Sequence, residues 1–131
     1  MPRRFRGRRG RRRGAEGACP QRIRGFIEPA LLLLLHMGPK HGYALMEGLP
    51  EIGFAEYPAD SSAIYRTLRS LEESGIVSSD WDTESSGGPP RRVYELTPEG
   101  EEYLARWVAD LRATDRVLHS FLEAYDEQVN G

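Results

Sequence analysis

A mainly α-helical chain carrying one small β-hairpin and ending in a long helix is predicted by three features of the sequence. A Leu-rich run, Ala30 to Leu35, is closed by Gly38-Pro39; a periodic segment from Asp60 is closed by Gly75; and two short β-branched and aromatic segments precede a Thr97-Pro98 helix opening. At 131 residues with 39% hydrophobic and 29% charged residues, one compact unit with appendages is expected.

The elements follow in chain order. Residues 1–24 alternate Arg and Gly with almost nothing to bury, which predicts a disordered basic arm. From Phe26 the chain turns apolar on nearly every side; unbranched Leu favours helix, Pro29 is tolerated in a first turn, and this helix is expected at the centre of the core. A second helix is expected from His41 to Leu49, with Tyr43, Leu45 and Met46 sharing its inner side and Pro50 as its stop. Residues up to Ala59 read as a connector. Asp60 then stands in N-cap position before Ser61 to Ser74, and Gly75 follows as the C-terminal glycine. Ile64, Leu68 and Leu71 fall at i, i+4, i+7 and face inward, leaving Ser62, Tyr65, Arg66 and Arg69 outward. Ile76 to Trp81 and Arg92 to Leu96 pair as a hairpin whose long tip spans Asp82 to Pro90. The last helix opens with Thr97 at the N-cap, Pro98 at N1 and acidic residues in its first turn, and runs to about Gln128. Along it Leu104, Trp107, Leu111, Thr114, Leu118, Phe121 and Tyr125 recur at spacings of three and four, a heptad seam interrupted by Thr114.

The charge is split along the chain. Residues 1–24 carry ten Arg and one Glu, whereas the remainder carries eight Lys or Arg against nineteen Asp or Glu, so a net charge of −2 conceals a basic tail on an acidic body. The tail is a candidate for polyanion contact. The lone Cys19 has no partner for an internal disulfide, and no secretory leader pattern is present, which fits a reducing cytoplasm; an inert thiol and a thiol sensor are the two readings of Cys19. The longest apolar run is far too short to span a bilayer.

Helix, helix, capped helix and hairpin is the order of a winged helix-turn-helix. The third helix fits the DNA major groove, and its outward Ser, Tyr and Arg supply hydrogen bonds to base edges and phosphates. The competing reading is that Tyr65 covers the core edge and the arginines are merely solvated. Arg91 and Arg92, at the base of the hairpin tip, favour the DNA reading: they are placed to reach phosphate or the minor groove while Gly87 and Gly88 let the tip conform.

Three blocks in order, Leu33-Leu-Leu-His-Met-Gly-Pro-Lys-His-Gly-Tyr43, Ile64-Tyr-Arg-Thr-Leu-Arg-Ser-Leu-Glu-Glu-Ser-Gly-Ile-Val77 and Gly88-Pro-Pro-Arg-Arg-Val-Tyr-Glu-Leu-Thr-Pro-Glu-Gly100, resemble the PadR family of bacterial regulators. The resemblance covers about residues 26–103 and implies DNA contact from Tyr43, Ser61, Ser62, Tyr65, Arg66, Arg69, Arg91 and Arg92. The single long C-terminal helix resembles the shorter branch of the family, and the Trp-Asp-Thr hairpin with Tyr-Leu-x-x-Trp is similar to the group of polyhydroxybutyrate-responsive repressors. The Arg-rich arm and the acidic body depart from the family pattern. For the arm, added phosphate or minor-groove contact stands beside a non-specific, solubilising or RNA-binding role.

The resulting expectation is a basic arm (1–24), a winged helix-turn-helix (25–97) and a C-terminal dimerisation helix (98–131). The projecting seam of Leu104, Trp107, Leu111, Leu118, Phe121 and Tyr125 has little of its own chain to cover it, so a homodimer reading an inverted-repeat operator is expected. The resemblance further implies a repressor released by a small effector, with Trp107 and Phe121 as candidate lining residues and core packing as the alternative role of each. An RNA-binding or protein-interaction module driven by the arm is the competing function. Enzymatic readings are disfavoured: His36, His41 and His119 lack zinc-site spacing, and no Gly-rich phosphate loop or nucleophile elbow occurs, so no metal or cofactor is expected.

Overall fold

The computed structural model describes residues 25–55, 60–82, 88 and 90–130. The basic arm with Cys19, and Gly87 of the hairpin tip, lie outside the described residues. The elements are α1 (Ile27–His36), β1 (Lys40–His41), α2 (Gly42–Gly48), a 3-10 turn (Leu49–Ile52), α3 (Ser61–Glu73), β2 (Val77–Asp82), β3 (Arg91–Leu96) and α4 (Pro98–Asn130).

Helix α1 is central, as its composition predicts: Leu31 and Leu32 are fully enclosed and Leu34 and Leu35 nearly so, while Pro29 sits in the first turn. Around it pack Leu45, Leu49, Phe54, Ile64, Leu68, Leu71, Val77, Tyr94 and Leu104, so the four helices, the 3-10 turn and strands β2 and β3 share one core. The second helix is shorter than expected. It ends at Gly48, and Pro50 is absorbed in the first turn of the 3-10 segment, where its missing N–H costs nothing. On α2 only Leu45 is fully inward, with Met46 partly buried; Tyr43 is turned out to solvent, correcting its assignment to the inner side.

Helix α3 buries Ile64, Leu68 and Leu71, and it ends in a Schellman motif. Gly75, at φ +79°, donates to Glu72 O (3.1 Å), and Ile76 N donates to Leu71 O (3.0 Å). Asp60 occupies the N-cap position, but its side chain makes no capping bond.

The sheet has three strands, in the order β1-β3-β2, where a two-stranded hairpin was expected. Two residues before α2 suffice: Lys40 pairs with Tyr94 and His41 with Val93. Beyond the hairpin Thr97 caps α4, accepting from Gly100 N at 3.0 Å while its hydroxyl donates to Gly75 O at 2.8 Å. Gly100 lies so close to the Ile76 carbonyl that a Cβ there would overlap it. The glycine therefore allows α4 to start directly against the end of α3.

The 33 residues of α4 span about 50 Å. Its first turns pack on α1, and every residue from 112 to 130 is exposed. The seam thus divides. Leu104 belongs to the chain's own core, which corrects its place among the dimerisation residues; Trp107 and Leu111 are half-buried; Leu118, Phe121 and Tyr125 are open to solvent.

Candidate nucleic-acid interface

The face of α3 opposite its three buried residues carries Ser61, Ser62, Tyr65, Arg66 and Arg69, all exposed. The separation is a direct consequence of the 3.6-residue period, since the buried residues at i, i+4 and i+7 leave one polar side free. Tyr65 is 38% exposed, and its ring lies across Gly42 at the start of α2. A Cβ on Gly42 would stand 2.5 Å from Tyr65 Oη and 2.8 Å from Cε1. Glycine at this position is what permits the close approach. Tyr43, the next residue of α2, is 60% exposed, so the resemblance-derived tyrosine is available to a ligand.

The wing joins α3 through a chain of hydrogen bonds. Arg92 Nη1 donates to Ser79 Oγ (2.7 Å), and Ser79 Oγ donates to Glu72 Oε2 on the last turn of α3 (2.7 Å). The Arg92 guanidinium also stands 4.5 Å from the centre of the Trp81 ring. Arg92 is therefore half-buried and oriented, whereas Arg91 is exposed. Behind this cluster Tyr94 is buried against α3, and its burial raises the phenol above the ordinary tyrosine range, with the Arg92 charge pulling the other way. On the opposite face of the sheet His41 Nε2 meets Asp82 Oδ2 at 3.2 Å, tying β1 to the end of β2.

Trp81 is the residue that sequence reasoning passed over. It is 55% exposed, although it shares a face with buried Val77. The available signal was its register, two residues beyond Ser79 on the inward-facing series.

A second region lies where α4 meets α1. Glu28 Oε1 accepts from Tyr103 Oη (2.7 Å) and Trp107 Nε1 (2.9 Å), and that bond raises the Tyr103 phenol above its usual range. Around the corner an apolar cleft of about 390 Å³ opens between α1, the 3-10 turn and α4, lined by Phe26, Leu33, Phe54, Val108, Leu111 and Leu118 among others. Trp107 and Phe121, the expected effector-lining pair, are not part of its wall. Trp107 is engaged with Glu28, and Phe121 lies a turn further out on α4, 65% exposed.

Three helices with an exposed third, a wing docked on it and a long projecting helix define a winged helix-turn-helix protein. The model of the transcriptional regulator PadR-like family matches residues 31–106, and the chain belongs to that family. Among solved structures it is similar to a conserved protein of unknown function described as a potential transcriptional factor (35% identity, TM-score 0.71, covering 86% of this chain and 99% of that one). It is similar also to a transcriptional regulator from Clostridium thermocellum (25% identity, TM-score 0.70, 79% and 96%). Bacillus subtilis PadR, solved in complex with operator DNA, matches at 27% identity and TM-score 0.56, over 63% of this chain and 46% of that longer one. No curated protein matches the chain significantly.

Proposed function

We propose that the chain is a sequence-specific double-stranded DNA-binding transcriptional regulator that acts as a homodimer on an inverted-repeat operator. The observation that carries this reading is the solvent-exposed row of Ser61, Ser62, Tyr65, Arg66 and Arg69 on a helix whose other side is locked into the core. Arginine and hydroxyl groups on one rigid helix supply the donors that major-groove base edges and phosphates require. The operator complex of the Bacillus relative supports transferring that role to this chain. Tyr43 and Arg91 extend the contact surface on either side of α3, and Arg92 contributes from its oriented position.

The distal half of α4 supports dimerisation. Val117, Leu118, Phe121, Leu122, Tyr125 and Val129 are each at least half exposed, and a second copy of the same stripe is the partner a two-fold assembly provides. Occupation of a promoter by such a dimer represses by exclusion, and the apolar cleft beside α4 is the place for a small effector to alter the dimer's geometry.

Fluorescence anisotropy with duplex DNA from the chain's own promoter, against a scrambled duplex and a structured RNA, tests the reading. Arg66→Ala and Arg69→Ala should each weaken promoter binding by about tenfold, the effect of losing one good base contact. Removal of residues 1–20 should lower affinity and flatten its salt dependence while sequence preference survives. Preference for RNA that disappears with the arm would instead identify an Arg/Gly-driven RNA-binding module.

A further inference from the structure

The placement of Trp81, 55% exposed on a strand only six residues long, is built by two features of the wing. The register is the first. Val77, Ser79 and Trp81 alternate onto one face of β2 and are paired with Leu96, Tyr94 and Arg92 of β3, whose side chains point the same way. Val77 and Tyr94 are buried, and Ser79 bonds to Glu72, so this is the face turned toward α3. Trp81 and Arg92 continue that face past the edge of the core. They lie just beyond the Ser79–Glu72 bond that ties this face to the last turn of α3.

The second is rigidity. The guanidinium of Arg92 is stacked over the indole at 4.5 Å and tied through Ser79 to Glu72, so the position of Trp81 is referred to α3 itself. The Trp81 backbone N–H is also held, donating to Asp80 Oδ1 at 2.9 Å. An exposed ring with a cation on it, held in place by the third helix, is a preorganised platform for a flat or apolar surface that is also anionic.

We infer that Trp81 is a DNA-contacting residue of the wing, packing its indole against the sugar and base edges of the minor groove beside the major-groove segment read by α3. The inference rests on the DNA-binding reading above. Duplex DNA is favoured over a second copy of this chain because the ring is tied through Arg92 and Ser79 to α3 and shares the wing with the exposed Arg91, while the chain's extended apolar stripe lies on α4. Arg92 uses one N–H group on Ser79 and keeps others for a neighbouring phosphate.

The test uses the full chain carrying Trp107→Phe, which leaves Trp81 as the sole tryptophan. Titration with promoter duplex should quench Trp81 emission in step with anisotropy, and a scrambled duplex should quench it less. Trp81→Ala should weaken promoter binding by about tenfold, in the range of one lost aromatic contact to nucleic acid, and Trp81→Phe should recover most of it. Circular dichroism and melting should be unchanged, since the ring is largely outside the core. Tight promoter binding with unaltered Trp81 emission and an unaffected Trp81→Ala variant would overturn the inference and leave the regulator reading standing. If neither the parent nor Arg66→Ala distinguishes promoter from scrambled duplex, the regulator reading falls and this contact falls with it.

Discussion

Gly42→Ala separates aim from stability at the candidate interface. The added Cβ would lie 2.5, 2.8 and 2.9 Å from Oη, Cε1 and Cζ of Tyr65, whereas ordinary contacts begin near 3.5 Å, so the ring must retreat by roughly 1 Å. Tyr65 is already 38% exposed and can retreat toward solvent without opening the core. Alanine is at the same time the better helix former, by up to about 1 kcal/mol in a helix interior and less at this first position of α2. The two effects oppose each other, and with about 4–8 °C of melting shift per kcal/mol for a domain of this size, the midpoint should move by only a few degrees. DNA affinity has no such compensation. A mispositioned Tyr65 should forfeit its proposed DNA contact, about 1–1.5 kcal/mol, roughly a five- to twelvefold loss. Anisotropy titrations on Gly42→Ala, Tyr65→Ala and the double variant, with melts run alongside, close the cycle: in the Tyr65→Ala background the alanine at 42 should cost nothing further. Parent-like affinity in the single variant, or a penalty that persists undiminished in the double variant, would refute the role assigned to the Gly42–Tyr65 contact.

Gly100→Ala meets backbone instead of a mobile ring, so it should destabilise the chain by about 1–3 kcal/mol, and an unchanged melting temperature would show that the α3–α4 junction yields more easily than argued. Leu118→Asp or Phe121→Asp should halve the mass seen by light scattering without loss of helical signal, because both side chains lie outside the core; an unchanged mass would remove the distal stripe from the dimer interface. Leu104→Ala should instead act on folding, lowering stability by about 2–5 kcal/mol. For Tyr94 and Tyr103 the neutral phenol is favoured in the folded chain, so their contribution is fully present below the ordinary tyrosine value of about 10 and is lost as pH rises through their higher folded values. Absorbance titration should show both ionising above the ordinary tyrosine value of about 10, and Glu28→Gln should bring Tyr103 back toward the ordinary range by removing the anion that holds its proton.

Local information determined most of the frame from the sequence. The period of Ile64, Leu68 and Leu71 and the terminal Gly75 defined α3 and its exposed row, and Thr97-Pro98 marked where α4 begins, because periodicity and capping act within a turn or two of the chain. Strand β1 was invisible on those terms. Two residues have no pattern of their own, and they become a strand only because Tyr94 and Val93, far along the chain, offer hydrogen bonds. Phe54, read as connector, proved to be core for a similar reason: the turn at Gly53 returns it to α1. Tertiary packing also divided the uniform seam of α4, enclosing Leu104, engaging Trp107 with Glu28 and leaving Phe121 and Tyr125 open, since a heptad repeat specifies a side and not what will cover it. It alone decided the place of Trp81, whose exposure depends on how far the wing extends beyond the core and on an arginine and a serine that fold back to hold it.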